Sequence, residues 1–371
     1  MKKLLVSLMV LSMVLVGCGN GESTTKDAEI ILITDKGTIN DKSFNQGSWE
    51  GVVAFGEKTN RGTAYIQPLD ATDEEYLNSI AQAVERGAKV IVTPGFLFGE
   101  AIKEAQDKYP EVKFVLIDEH LPVVNPNTIA IKYREYESGY LAGYAAVKEG
   151  ATSLGFMGGM AVPAVVSFGF GYVQGANDAA EELDVDVSIK YHYTGGFSAT
   201  PEVQTLAAAW YKDGVEIIFA CGGAVGNSVM AAASATDGDA KVWVIGVDVD
   251  QSSESPTVIT SAYKQLSVSV ESALEAIFDG SFESTDPSVI YKGGENIVLG
   301  ASENAVGLPM ETSRFENFTK ADYDVIFNKI VDGVVEILGH GDVLDSSDSV
   351  TVSPLGLTVD RTTRVTIEEV N

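Results

Sequence analysis

Cysteine is nearly missing from this chain: 371 residues contain two, Cys18 and Cys221. The first sits in an amino-terminal leader, which leaves the second alone and excludes a disulfide framework. Histidine is as scarce, with His120, His192 and His340 far apart, so a zinc centre built on imidazoles is not expected. Positive charge is also in short supply. Twenty-five Lys and Arg stand against 53 Asp and Glu, for a net charge of −28. Such a surface repels nucleic acid and anionic lipid head groups, so nucleic acid is not an expected partner. Beyond Val16 no apolar run approaches the ~20 residues that span a bilayer.

What is present starts at the amino terminus. Lys2 and Lys3 precede an apolar run from Leu4 to Val16, followed by Gly17 and Cys18, the layout of an exported bacterial precursor. Leu15, Val16, Gly17 and Cys18 look like a lipobox, in which cleavage falls before the cysteine and its thiol carries a diacylglycerol. Residues 1–17 are therefore expected to be a signal peptide and 18–28 a lipidated, flexible spacer. The mature protein would be held on the extracytoplasmic face of the cell membrane by that lipid. Cys221, in IIFACGGA, reads as a packed structural thiol, because a nucleophilic cysteine needs a base beside it.

Past the spacer, β-rich apolar runs alternate with amphipathic ones. Ile30 to Ile33, Thr63 to Ile66, Lys89 to Val92, Lys113 to Ile117 and Ile129 to Lys132 read as strands. Helical patterns fall between them at Trp49 to Lys58, Asp73 to Glu85, Gly99 to Lys108 and Glu135 to Val147. Thr72, with Glu75 three residues on, fits a capping box opening the second of these helices. The rhythm restarts after Gly150, with strands at Ser153 to Met157, Val187 to Tyr191, Glu216 to Ala220 and Lys241 to Val247. Helices there are expected near Phe170 to Leu183, Pro201 to Tyr211 and Gly226 to Ser234. Repeated βαβ units imply parallel sheets, and two such halves imply two lobes with a ligand cleft between them. A strand from Thr257, a helix at Leu266 to Phe278 and a last helix at Lys320 to Leu338 suggest that the chain crosses back. The expected division is 29–147 plus 261–292 for lobe 1 and 148–260 plus 293–338 for lobe 2. Residues 339–371 form a carboxy-terminal extension whose alternation suits a strand pair or a mobile appendage.

Four clusters fall at strand ends, where open α/β sheets hold ligands: Asp41 to Gln46, Asp118 to His120, Gly222 with Gly223, and Gly246 to Gln251. Carboxylates there accept from hydroxyls, and aromatic rings stack on flat or apolar ligand faces. The runs DKSFNQGSWEG, GFLFGEA, FACGGAVGNSVMAA and VIGVDVDQ, with TSAYK and an apolar strand closing on Asp118, resemble the basic membrane protein family in order along residues 30–338.

That resemblance implies a type I periplasmic-binding-protein fold, α/β, with two Rossmann-like lobes joined by three crossover strands. It implies a lipoprotein of an ABC transporter that binds purine nucleosides such as guanosine, inosine or adenosine and passes them to permease subunits, without a cofactor. Carried over residue by residue, Phe44 matches the first stacking ring and Asn45 the amide beside it. Asp118 matches an acid at a strand end, and Phe197 the opposing ring. Gly223 matches a point of backbone approach, Asp248 an acceptor for ribose hydroxyls, and Lys264 the binding lysine.

Read from the residues alone, several of these positions have second readings. Phe44 suits a hydrophobic staple, Asp41 an N-cap and Asp118 a turn. Phe168 and Phe170 rival Phe197, Asp250 shares a strand face with Asp248, and Lys264 suits a surface lysine. A nucleoside hydrolase is the enzymatic alternative, but its DxDxxxDD cluster is DKGTINDK here, with two of the four acids missing. A catalytic relay through His120 lacks a serine or cysteine motif. A binding protein for a sugar or another small polar solute, and a surface adhesin, complete the alternatives.

Overall fold

The structure is a computed structural model that describes residues 28–236, 241–339 and 361–370. Cys18, the expected signal peptide, the expected spacer up to residue 27, and residues 340–360 of the expected extension, with His340, lie outside the described residues.

The first lobe begins with β1 (Ile30–Ile33), α1 (Phe44–Thr59), β2 (Thr63–Ile66), α2 (Asp73–Glu85), β3 (Val90–Pro94), α3 (Gly99–Lys108), β4 (Lys113–Ile117) and β5 (Thr128–Tyr133). Strands β1 and β3 are buried at every position, which is why they read as continuous apolar runs and not as alternating ones. The second lobe comprises α4 (Glu135–Lys148), β6 (Ser153–Gly158), α5 (Pro163–Leu183), β7 (Val187–Tyr193), α6 (Pro201–Lys212), β8 (Ile217–Cys221), α7 (Val225–Ser234), β9 (Trp243–Asp248) and β10 (Val258–Lys264). The chain then returns to lobe 1 as α8 (Leu266–Asp279) and β11 (Glu295–Leu299). It crosses once more into β12 (Val306–Gly307) and α9 (Lys320–Val331), and β13 (Val365–Glu369) closes the described part.

The first sheet runs β11-β5-β4-β3-β1-β2 and the second β12-β10-β9-β8-β6-β7-β13. Every pairing is parallel except that of β12 with β10. Each lobe thus carries its first five strands in the order 2-1-3-4-5, a doubly wound pattern with one switch point where the order reverses.

The lobe boundaries differ from the sequence expectation at each crossing. Helix α4, assigned above to lobe 1 through residue 147, packs along α5 in lobe 2, and the first crossing falls between Tyr133 and Glu135. β10 reaches Lys264 in the second sheet, beyond the expected switch at 261. β11, assigned above to lobe 2, pairs with β5 in the first sheet, so the last crossing lies between Leu299 and Val306. Periodicity shows that a face is buried but not which core buries it.

Several element ends also shift. α1 starts at Phe44, ahead of Trp49, and α5 at Pro163, ahead of Phe170, with the proline at the first turn where its missing N–H costs nothing. α9 stops at Val331, shortly before Gly333 at φ +67°. Thr72 accepts from Glu75 N at 3.3 Å, but the Glu75 carboxylate turns to Leu69 N instead of closing the box. In the extension, β13 adds to the edge of the second sheet beside β7.

Candidate functional site

The switch points of both sheets open onto one space. Loops after β1, β3 and β4 from lobe 1 and after β6, β7, β8 and β9 from lobe 2, with the start of α5 and the end of β10, line a cleft of about 640 Å³. All seven residues singled out in the sequence line it: Phe44, Asn45, Asp118, Phe197, Gly223, Asp248 and Lys264.

Lys264 is the centre of its electrostatics. It ends β10 at the second crossing and is 3% exposed, so it is not a surface lysine. Its Nζ donates to Asp118 Oδ2 at 2.7 Å and lies 3.3 Å from Asp248 Oδ1. Asp118 follows the fourth strand of lobe 1 and Asp248 ends the fourth strand of lobe 2, so the two acids occupy matching places. Both have left-handed backbone, φ +64° and +68°, which aspartate tolerates better than bulky residues do. One ammonium thus ties the two lobes together through one carboxylate from each.

Burial alone would strip the proton from Lys264, but the carboxylates of Asp118, Asp248 and Glu135 outweigh it and hold the lysine well above its ordinary range. Burial pushes Asp118 up against the pull of Lys264. Asp118 Oδ1 is buried with no hydrogen-bond partner among the described residues, an arrangement that costs free energy unless a donor meets it. Glu135, the first residue of α4, is pushed up to about 8 by burial, with Asp118 adding to the effect.

The loop after β1 is organised by a second polar cluster. Asp41 accepts from the backbone N–H of Ser43, Asn45 and Gln46 at 2.9, 3.0 and 3.1 Å, and so does the work of a helix cap for α1. Asn45 donates through Nδ2 to Asp35 Oδ1 and Asp41 Oδ2 and accepts from Asp35 N. Both of its amide hydrogens are therefore engaged within the loop, and its carbonyl oxygen keeps one free lone pair. Asp35, which the sequence reading did not select, lines the cleft, and burial pushes its carboxyl up to about 6. In the sequence it stood just past β1 as the first acid of DKGTINDK.

Phe44 and Phe197 are both half-buried and reach the cleft from opposite lobes. The Lys264 ammonium lies 4.5 Å from the Phe44 ring centroid, within cation–π range. The Phe197 loop is fixed by Ala224 N donating to Phe197 O at 2.9 Å. Gly223, at φ +52°, lies under it, where an added Cβ would come within 3.2 Å of that carbonyl. Of the two rivals, Phe168 lines the cleft floor and Phe170 is buried in the core away from it. Phe96, from GFLFGEA, also lines the cleft.

Asp250 turns outward to Thr312 Oγ1 at 2.6 Å, because the chain bends after the left-handed Asp248. His120 contacts the carbonyl of Ile297 at 3.1 Å, not Asp118. Cys221 is buried at the end of β8, where its thiol is held well above its ordinary pKa by burial.

Two doubly wound lobes, three crossings and a cleft at both switch points define the type I periplasmic-binding-protein fold. A solute-binding protein of an ABC transporter system from Aeropyrum pernix shares this fold, with a TM-score of 0.71 at 22% identity over 84% of this chain and 93% of that one. Residues 28–339 match the family model described as ABC transporter substrate-binding protein PnrA-like. The chain belongs to this Bmp family and is an ABC transporter substrate-binding protein. Among its relatives, the ABC transporter nucleoside-binding protein BmpA of Lactococcus lactis is 30% identical over 89% of this chain and 99% of its own. Basic membrane protein A1 of Borrelia garinii is 28% identical over 89% of this chain and 94% of its own. Among the described residues, no helix is long and apolar enough to cross a membrane.

Proposed function

We propose that the cleft binds purine nucleosides, with guanosine, inosine and adenosine as candidates, and that the protein delivers them to permease subunits from a lipid anchor on Cys18. The observation that carries this reading is Lys264, bridged to Asp118 and Asp248 from the two lobes, in a cleft lined by the Phe44 and Phe197 rings. A planar base stacks on aromatic rings. Ribose hydroxyls donate to carboxylates, and the unpartnered Asp118 Oδ1 is one acceptor of this kind. Four aspartates line the cleft, Asp35, Asp41, Asp118 and Asp248, against one lysine. This balance disfavours a phosphorylated ligand and favours the nucleoside over the nucleotide.

A binding role also agrees with the chemistry of the groups present. Lys264 is held protonated and Cys221 is held as a thiol, so neither serves as a base or nucleophile. A sugar would satisfy the carboxylates equally, but Val162, Val165 and Phe168 give the cleft an apolar wall better suited to a base.

Calorimetry with guanosine and inosine tests the reading. Phe44→Ala is expected to weaken binding by about 1–3 kcal/mol, the value of one base–aromatic stack, while leaving the melting temperature of the unliganded protein nearly unchanged. Unchanged affinity would remove the stacking role, and release of free base during incubation would mark an enzyme.

A further inference from the structure

The two lobes also touch directly, at a seam beside the cleft whose key residues do not line it. Ser43 is the N-cap of α1, a position where a serine hydroxyl ordinarily accepts from the first-turn backbone, yet it makes no such bond. Asp41 has taken over the capping, and Ser43 Oγ instead donates across the lobes to Asp248 Oδ2 at 2.6 Å. The neighbouring Lys42 has φ +62°, and its carbonyl accepts from Gln251 Nε2 of the opposite lobe at 2.7 Å. Gln251 is 1% exposed and is braced within its own lobe, where its Oε1 accepts from Val247 N and its backbone N–H donates to Ser261 Oγ. A few residues along α1, Gly47 lies against Val249, and a Cβ at Gly47 would come within 2.6 Å of Val249 Cγ1. Ser43, Gly47, Val249 and Gln251 are all absent from the cleft lining.

We infer that this seam is a clasp: Ser43 and Gln251 are positioning residues that hold the lobes together without touching the ligand, and Gly47 is kept small so that the helix can close on Val249. Two cross-lobe hydrogen bonds and one close backbone approach favour the closed arrangement before anything binds. Ser43 also fixes the orientation of Asp248, whose other oxygen faces Lys264. The inference rests on the reading of the cleft as the binding site only for its effect on affinity. Its effect on the unliganded protein is independent of what binds.

Gln251→Leu removes the cross-lobe bond to Lys42 at similar volume, together with the acceptor of Val247 N within lobe 2, and Gly47→Ala adds the obstructing methyl. The two substitutions differ in their effect on folding: alanine favours a helix over glycine, while a Cβ at Gly47 also comes within 3.2 Å of Leu266 Cδ1 in lobe 1, so the melting temperature of each variant is measured beside its scattering. Small-angle scattering of the unliganded proteins is expected to give a larger radius of gyration for both variants than for the parent. Stopped-flow measurements with guanosine are expected to show dissociation about tenfold faster or more, the effect of one lost hydrogen bond to a buried group, with association changed by less than about threefold. An unliganded radius of gyration identical to the parent in Gly47→Ala overturns the clasp, whatever Gln251→Leu does to folding. If the parent binds no nucleoside, the nucleoside reading fails while the scattering comparison still decides the clasp.

Discussion

Glu135 carries the sharpest pH consequence of any single residue in the site. Its carboxyl is pushed from an ordinary value of 4.5 up to about 8 by burial and by Asp118, relieved in part by Lys264. The folded protein therefore holds this proton more tightly than the unfolded chain does. Its contribution favours folding fully below about 4.5 and is lost as pH rises through about 8. Glu135→Gln, which keeps the shape and removes the titration, is expected to raise the melting temperature relative to the parent at pH 8.5 and to leave it nearly level at pH 5. A parallel loss in both proteins would assign the pH dependence elsewhere. Three residues of the candidate site were legible in the sequence because each ends a strand: Asp118, Asp248 and Lys264 are the last or next residues of β4, β9 and β10, whereas Phe44, Asn45, Phe197 and Gly223 were reached through the family resemblance. Their mutual contact was not legible, because an ion pair between residues 118, 248 and 264 depends on how two sheets face each other. Asp35 was missed for a related reason. Nothing local separates a carboxylate that faces a cleft from one that faces water.

At the scale of elements, the tightest construction is the pair α4 and α5. A Cβ at Gly139 or Gly143 of α4 would come within 2.1 and 2.0 Å of the carbonyls of Phe168 and Tyr172. One at Gly171 or Gly175 of α5 would come within 2.0 Å of those of Tyr136 and Tyr140. Four glycines spaced by four residues let the two backbones meet with no side chain between them. Gly143→Ala is expected to destabilise the protein by about 3 kcal/mol or more, since an added methyl facing backbone cannot be absorbed by a rotamer change, measured as a lower urea midpoint. This runs against helix propensity, which favours alanine, so an unchanged midpoint would mean that the helices separate freely. The spacing SGYLAGY and FGFGYVQGA was visible in the sequence, yet the helical reading placed α4 with the wrong lobe. Small residues hide a packing face from an analysis that looks for large apolar ones. Strands β1, β3 and β8 were easier, because a parallel strand buried on both faces is apolar along its whole length.

Across the whole molecule, each lobe depends on segments far apart in the chain. Lobe 1 needs α8 against α1, where Phe278 stacks on Phe55 at 5.5 Å between centroids, and it needs β11 beside β5. A fragment of residues 28–134 lacks both. It is expected to show no cooperative thermal transition by circular dichroism and to elute as an aggregate, whereas a sharp transition at monomer size would show that lobe 1 is self-sufficient.

The return of β11 to the first sheet also sets a timetable. On the ribosome the strands of lobe 1 emerge first, yet its sheet cannot be finished until the chain has been made through Leu299, after the whole of β6 to β10. In the interval β5 is an open edge whose backbone groups offer a template for any other extended segment. The half of the protein that is synthesised first therefore waits for a strand made only after β6 to β10 of the other half, and a nascent chain of this design gains from whatever delays its folding until that strand has emerged.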